Sequence, residues 1–281
     1  MHAYYLTQWI LFFFIYSFIG WVWESCYVSV RKRRWVNRGF LHGPMLPIYG
    51  SGALVILIST IGVRENPWLI FLFGMLAATV LEYITGAVME KMFHVRYWDY
   101  SRQKLNLNGY ICVSSSLCWG MFSVLLVRAV HIPVERAVLD IPLFITDGAA
   151  LLLTVIMAVD LTQSFNEAMD LKQVLAQLEE SKEQIGEMQE KLLQLEELAE
   201  RIEVLLKEEI PSKAGSLISE EKREELKKFR NSIAGEFGRM SSRKDKIYLH
   251  IASQLKRNPT AASKKFAKAL EELKDTLENI K

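Results

Sequence analysis

Three glutamates stand inside long apolar runs of this chain: Glu24, Glu82 and Glu90. An ionised side chain at the centre of a bilayer costs about 2.5–3.5 kcal/mol on insertion scales, so Glu82, the deepest, needs a proton, a partner or a cavity. Residues of this kind mark ion and substrate pathways. The plain alternative is an interhelical hydrogen bond for Glu82, and neutralisation of Glu24 and Glu90 by the neighbouring Arg31, Lys32, Arg33, Arg34 and Lys91. Helical spacing puts Glu24 on one stripe with Tyr16, Gly20 and Tyr27. It puts Glu82 on a face with Ala78, Thr85, Gly86 and Met89, where small residues let a neighbouring helix approach closely. His42 beside Gly43-Pro44, Asp99 within Tyr97-Trp98-Asp99-Tyr100-Ser101, and Asn106 and Asn108 complete the polar set. His42 and Asp99 also read plainly, as an interfacial polar residue and as a cap between interfacial aromatics. Together these side chains suit the binding of a cation, a proton or a polar small molecule. Carboxylates and histidine are also hard metal ligands, but here they come from separate segments without short-range spacing such as HExxH, so no metal site is assigned.

The elements that must position these residues follow from hydropathy. Of 34 Lys and Arg residues, 12 precede residue 161, as do 9 of the 32 Asp and Glu residues. The chain is therefore an apolar first part joined to a charged second part, and its net charge of +2 hides that division. Five apolar stretches stand out, at 5–30, 47–63, 67–93, 108–130 and 142–162. Most have the ~20 residues needed to cross ~30 Å of hydrocarbon. The second is short, opens on Gly43-Pro44-Met45-Leu46-Pro47 and carries Gly50 and Gly52, so it crosses as a broken helix or re-enters. The N-terminus lacks the positive segment of a cleavable signal, and its apolar run reads as the first span. Trp21, Trp23, Trp35, Tyr97, Trp98 and Tyr100 suit an aromatic belt. Cys26, Cys112 and Cys118 all lie in apolar segments, which fits small buried side chains better than a disulfide framework.

Basic residues crowd the loop after the first span (Arg31 to Arg34, Arg38) and the loop after the third (Lys91, Arg96, Arg102, Lys104). The positive-inside rule then puts those loops and the C-terminal tail in the cytoplasm of a cell-membrane protein, with the N-terminus outside. In that orientation His42, Asp99, Asn106 and Asn108 join Glu24 and Glu90 in one cytoplasmic layer.

Beyond Asp160 the last span runs on as a helix. Leu171, Leu178, Ile185, Leu192, Ala199 and Leu206 recur every seven residues, and Val174, Ser181, Met188, Leu195 and Ile202 fill the second seam position, a coiled-coil pattern. Pro211 to Gly215 breaks it, and two further helices are expected at 219–257 and 260–280. Residues 161–210 are acidic and the remainder is basic, which suits a hairpin or two paired chains. The expected architecture is all-α: a polytopic bundle at 1–162, a coiled-coil helix at 163–210 and a basic helical tail at 211–281. The partners this implies are membrane lipids and a second copy of the chain. No basic stripe with interleaved aromatics points to nucleic acid, no phosphate-binding glycine loop or nucleophile motif points to an enzyme, and nothing calls for a cofactor.

Several strings are more specific than the chemistry they suggest. They are Gly20-Trp21-x-x-Glu24, Gly39-Phe40-Leu41-x-Gly43-Pro44-x-x-Pro47-Ile48-Tyr49-Gly50, Leu81-Glu82-Tyr83-x-Thr85-Gly86-x-x-Met89-Glu90, Tyr97-Trp98-Asp99-Tyr100-Ser101 and Asn106-x-x-Gly109-x-Ile111-Cys112. In this order they resemble the CmpB-like family of multi-pass membrane proteins, labelled type IV ABC-transporter permeases, over roughly residues 5–160. The resemblance implies a permease subunit, and the absence of a Walker A lysine means that an ATPase would be a separate chain. Two rival readings remain: a membrane-embedded enzyme acting on a lipid-like substrate, with a carboxylate or His42 as base, and a membrane anchor or sensor that signals through its tail.

Overall fold

The computed structural model describes residues 4–209, 224, 228 and 252–279. The helix break expected at 211–215, and most of the helix expected at 219–257, lie outside the described residues. The described elements are, in order, α1 (Leu6–Lys32), α2 (Pro47–Ser59), α3 (Pro67–Phe93), the strands β1 (Asn106–Leu107) and β2 (Ile111–Cys112), α4 (Val113–Leu125), a π-helical turn (Leu126–Val130), α5 (His131–Leu139), α6 (Leu143–Glu209) and α7 (Ala267–Asn279). The chain divides into two compact units. One joins Met1–Lys172 with Ile251–Leu270, and the other joins Gln173–His250 with Glu271–Lys281.

Among the described residues, four helices are long and apolar enough to cross a membrane: Leu6–Lys32, Pro67–Phe93, Val113–Leu139 and Leu143–Gln184. The helix α2 has 13 residues, about 20 Å at 1.5 Å per residue, too short for the hydrocarbon layer. Its start explains its length. The backbone N–H of Leu46 donates to the carbonyl of Ser17, 3.0 Å away and midway along α1. The extended segment before Pro47 therefore reaches into the bundle, where its irregular backbone is covered by protein.

The alternation along α3 orients the rest. Ile70, Gly74, Ala78, Glu82 and Gly86, four apart, are buried. Leu72, Leu76, Val80, Ile84 and Val88, also four apart, are exposed large hydrophobics suited to lipid. The small residues of the buried stripe admit neighbours closely: a Cβ on Gly74 would run into Ser123 of α4, and one on Gly86 would sit 3.2 Å from Tyr110. Asn66 caps α3 by accepting from the N–H groups of Trp68 and Leu69 at 3.0 and 3.3 Å, with Pro67 at the first helical position. The third spanning helix contains the π-helical turn just before Pro133, where the missing N–H and the ring of proline disturb the regular ladder. Leu11, Phe12, Ile56, Leu57, Ile70, Val127, Val138 and Ala150 form the common core.

The helix α6 continues unbroken for 67 residues, from its apolar start through the heptad region. Leu171 and Leu175 are buried. The side chains of Ile185, Met188, Leu192, Leu195 and Ala199, on which the coiled-coil expectation rests, are outside the described residues. The first unit also takes in a part of the tail that its composition does not single out. A helical turn at 252–257 and the strand-like segment around Ala262 pack on the loops of the apolar half, with paired backbone hydrogen bonds between Arg96 and Ala262 at 2.7 and 2.9 Å.

Candidate binding site

Because α2 starts halfway along α1, the space its missing turns would fill is open. A cavity of about 480 Å³ occupies it. Leu46, Pro47, Ile48 and Tyr49 at the start of α2 line one side, Glu82, Thr85, Met89 and Phe93 of α3 another, and Leu161 and Phe165 of α6 a third. Glu24 of α1, Arg38, Tyr100 and Trp119 add the polar wall, and Asn258 of the docked tail segment closes part of the rim.

Glu82 is 6 % exposed. It accepts hydrogen bonds from Tyr100 Oη at 3.2 Å, Ser115 Oγ at 3.3 Å and Trp119 Nε1 at 3.1 Å, all uncharged donors. Glu24 accepts from Tyr49 Oη at 2.8 Å and lies 3.9 Å from Arg38 Nε. Arg38 is turned mainly elsewhere, donating to Asn258 Oδ1 at 2.8 Å and to the carbonyl of Tyr97 at 3.0 Å. Burial lowers the proton affinity of the Arg38 guanidinium, and the nearby Glu24 raises it again; an arginine keeps its charge regardless. Burial and the Glu82 carboxylate push the Tyr100 phenol well above its ordinary value, so it serves Glu82 as a donor.

The other residues singled out by sequence fall into separate clusters. Glu90 accepts from Nε and Nη2 of Arg96, both at 2.7 Å. Arg96, 3 % exposed, also reaches Asp99 Oδ1 at 3.2 Å and stacks 4.8 Å from the Tyr110 ring centroid. Burial alone would raise the Asp99 carboxyl, but bonds from Ser101 and the Arg96 guanidinium take it below its ordinary value. Burial likewise works against the charge on Arg96, and Glu90 and Asp99 more than offset it. Neither Glu90 nor Asp99 is among the residues that line the cavity.

His42 sits in a third cluster. Its Nδ1 is 3.0 Å from Asp160 Oδ1 and its Nε2 is 2.9 Å from Glu167 Oε1. The same Asp160 carboxylate accepts from the backbone N–H of His42 at 2.9 Å and of Gly43 at 2.7 Å, which fixes the loop that leads into α2. Glu167 further accepts from Arg257 Nη2 at 2.9 Å and from Ser253 Oγ. Asn106 and Asn108 belong to the β1–β2 hairpin. Asn106 Oδ1 accepts from Gly109 N–H at 3.0 Å, and Asn108 takes the left-handed conformation (φ 55°) while donating to Tyr83 Oη at 2.9 Å. The structure thus brings Glu24 and Glu82 into one cavity and puts Glu90 in the last turn of α3 and the other four residues in the loops and hairpin beyond the helices.

Sequence reasoning does not pair Tyr49, Tyr100, Asp160 or Glu167 with the candidate residues they contact. Tyr49 and Tyr100 stand inside the family strings, which is the one signal that could have found them. Among the described residues no group of three or more His, Cys, Asp or Glu is arranged to hold a metal ion.

The fold and the cavity define a polytopic helical membrane protein with acidic groups held inside the bundle. Residues 11–165, more than half of the chain, match the CmpB family, described as "Putative ABC-transporter type IV". The chain belongs to that family. Neither the curated proteins nor the solved structures provide a match.

Proposed function

We propose that this chain is the membrane permease subunit of an ABC-type transporter, and that Glu24 and Glu82 bind its substrate in a pocket on the cytoplasmic side. The observation that carries this reading is the cavity under the shortened α2, with two carboxylates in its wall. In this account Glu90, Asp99, His42, Asn106 and Asn108 hold the loops that frame the pocket. The N-terminus lies outside the cell membrane and the tail inside, and α2 supplies a fifth, re-entrant passage. The parts are a bundle at 1–162, a coiled-coil helix at 163–210 that pairs two copies of the chain, and a basic tail at 211–281. A separate ATPase binds the cytoplasmic face. Purification of the full-length chain in mild detergent from its native cells, with identification of what accompanies it, tests this directly. A stoichiometric ATPase is the expected result, and self-association alone would remove the permease reading.

A second reading, a sensor that signals through its tail, is favoured by the docking of residues 252–270. Arg257 pairs with Glu167 at 2.9 Å and Asn258 donates to the carbonyl of Gly39 at 2.9 Å. Under it, Arg257→Ala, at a residue outside the cavity lining, would change the output of the protein while leaving any solute accumulation as it is.

A further inference from the structure

We infer that the cavity between α1, α2, α3 and α6 accepts a lipophilic organic cation, its positive centre at Glu82 and Glu24 and its apolar body along the aromatic wall. This rests on the transporter reading and names the class of substrate for its pocket.

The acidic groups of the lining outnumber its basic ones, which favours a cation over an anion. Glu24, Glu82 and Arg38 are the charged residues of the lining, two carboxylates against one guanidinium. The guanidinium is occupied by Asn258 and the Tyr97 carbonyl and comes no nearer than 3.9 Å to Glu24. Glu82 has three neutral donors at 3.1–3.3 Å and no basic side chain among its hydrogen-bond partners in the described residues, so an ionised Glu82 would be solvated by dipoles alone. Charge-assisted bonds to a well-matched donor run shorter, at about 2.7–2.9 Å, which leaves this carboxylate able to take a positive partner.

The same geometry disfavours a bare inorganic cation. Such an ion needs about six oxygen ligands, whereas the atoms around Glu82 include the indole N–H of Trp119, which only donates. A diffuse charge carried by an organic body has different needs. Aromatic faces attract it, and Phe40, Phe93, Tyr97, Trp98 and Trp119 all contribute to the lining. Met89, Met92, Leu161 and Phe165 supply further apolar wall, with thioethers that adapt to irregular shapes. A volume of about 480 Å³ falls in the range of sites that bury a drug-sized ligand, about 300–1,000 Å³. A neutral polar solute would leave most of this carbon surface unused.

The test uses two ions of one shape and opposite charge, tetraphenylphosphonium and tetraphenylborate. Each is measured by equilibrium dialysis against the full-length chain in lipid nanodiscs, with empty nanodiscs as the blank. The expected result is saturable binding of the phosphonium, at least tenfold weaker in Glu82→Gln and weaker again in Glu82→Gln with Glu24→Gln, and no competition from the borate. Equal binding of both ions by the unaltered protein would overturn the inference without any variant having to fold. So would phosphonium binding that both substitutions leave unchanged. An absence of phosphonium binding alongside a co-purified ATPase would sink the substrate class and spare the transporter reading. Binding that depends on Glu82, with no ATPase partner, would do the reverse.

Discussion

The hydroxyl of Tyr49 donates to Oε1 of Glu24 across 2.8 Å, and the ring that carries it lies against Gly20, one helical turn before Glu24 on α1. A Cβ on Gly20 would collide with that ring. The glycine is therefore what lets the first turn of α2 approach α1 and bring a phenol to the carboxylate. Overpacking of this kind costs about 1–3 kcal/mol, so Gly20→Ala is expected to lower stability by that amount in detergent unfolding. Tyr49→Phe keeps the ring and removes the donor to a charged acceptor, an expected loss of about 1.5–3 kcal/mol. Unfolding curves that coincide with the unaltered protein's would contradict this packing.

The Arg96 guanidinium holds the loop that leads to Tyr100. It is buried, bonds two carboxylates and stacks on Tyr110. Removing one partner of a buried pair costs about 3–5 kcal/mol, because the other charge stays behind. Arg96→Ala is expected to destabilise the protein by that order. Glu90→Gln in the Arg96→Ala background should cost less than Glu90→Gln alone, which a double-mutant cycle in detergent measures. Additive losses would show that the two residues are not coupled.

Acidification should loosen the docked tail segment. The ring of His94 packs edge-on to Phe266 at 5.9 Å, and its carbonyl accepts from Ser263 Oγ at 2.6 Å. Burial, then Lys172 and Lys265, hold the His94 imidazole below its ordinary value of 6.5, against a smaller opposing pull from Glu90. A histidine depressed in the docked state binds more protons when released, so docking is fully supported above pH 6.5 and weakens as the pH falls through that value. Hydrogen exchange of the 252–270 amides, corrected for intrinsic rate, should show less protection at pH 5.5 than at pH 7.5. His94→Gln should remove the difference. Equal protection at both values in the unaltered protein would contradict this.

Much of this architecture is written in local pattern. Glu24 and Glu82 stand out because a carboxylate in an apolar run has few tolerable fates, and both line the cavity. The boundaries of α3 follow from Asn66-Pro67 at one end and the left-handed His94 at the other. The short α2 is visible in its glycines and prolines, yet the cavity it leaves is not, because that depends on how far the preceding segment reaches along α1. In the sequence Asp160 and Glu167 stand only as polar positions of a continuing helix. Their partners, His42, Arg257 and Ser253, lie 86 to 125 residues away, a separation at which spacing carries no information. Depth alone groups Glu90 and Asp99 with Glu24, and depth does not tell that Arg96 lies between them.

The proposed substrate role of Glu82 is most directly tested by complementation. In a strain lacking this chain, the unaltered protein should restore the lost phenotype and solute accumulation. Glu82→Gln, which keeps the shape and the three hydrogen-bond donors around it, should reach the membrane in normal amount yet restore neither, and Glu24→Gln should restore them only in part. Full restoration by both variants would contradict the account.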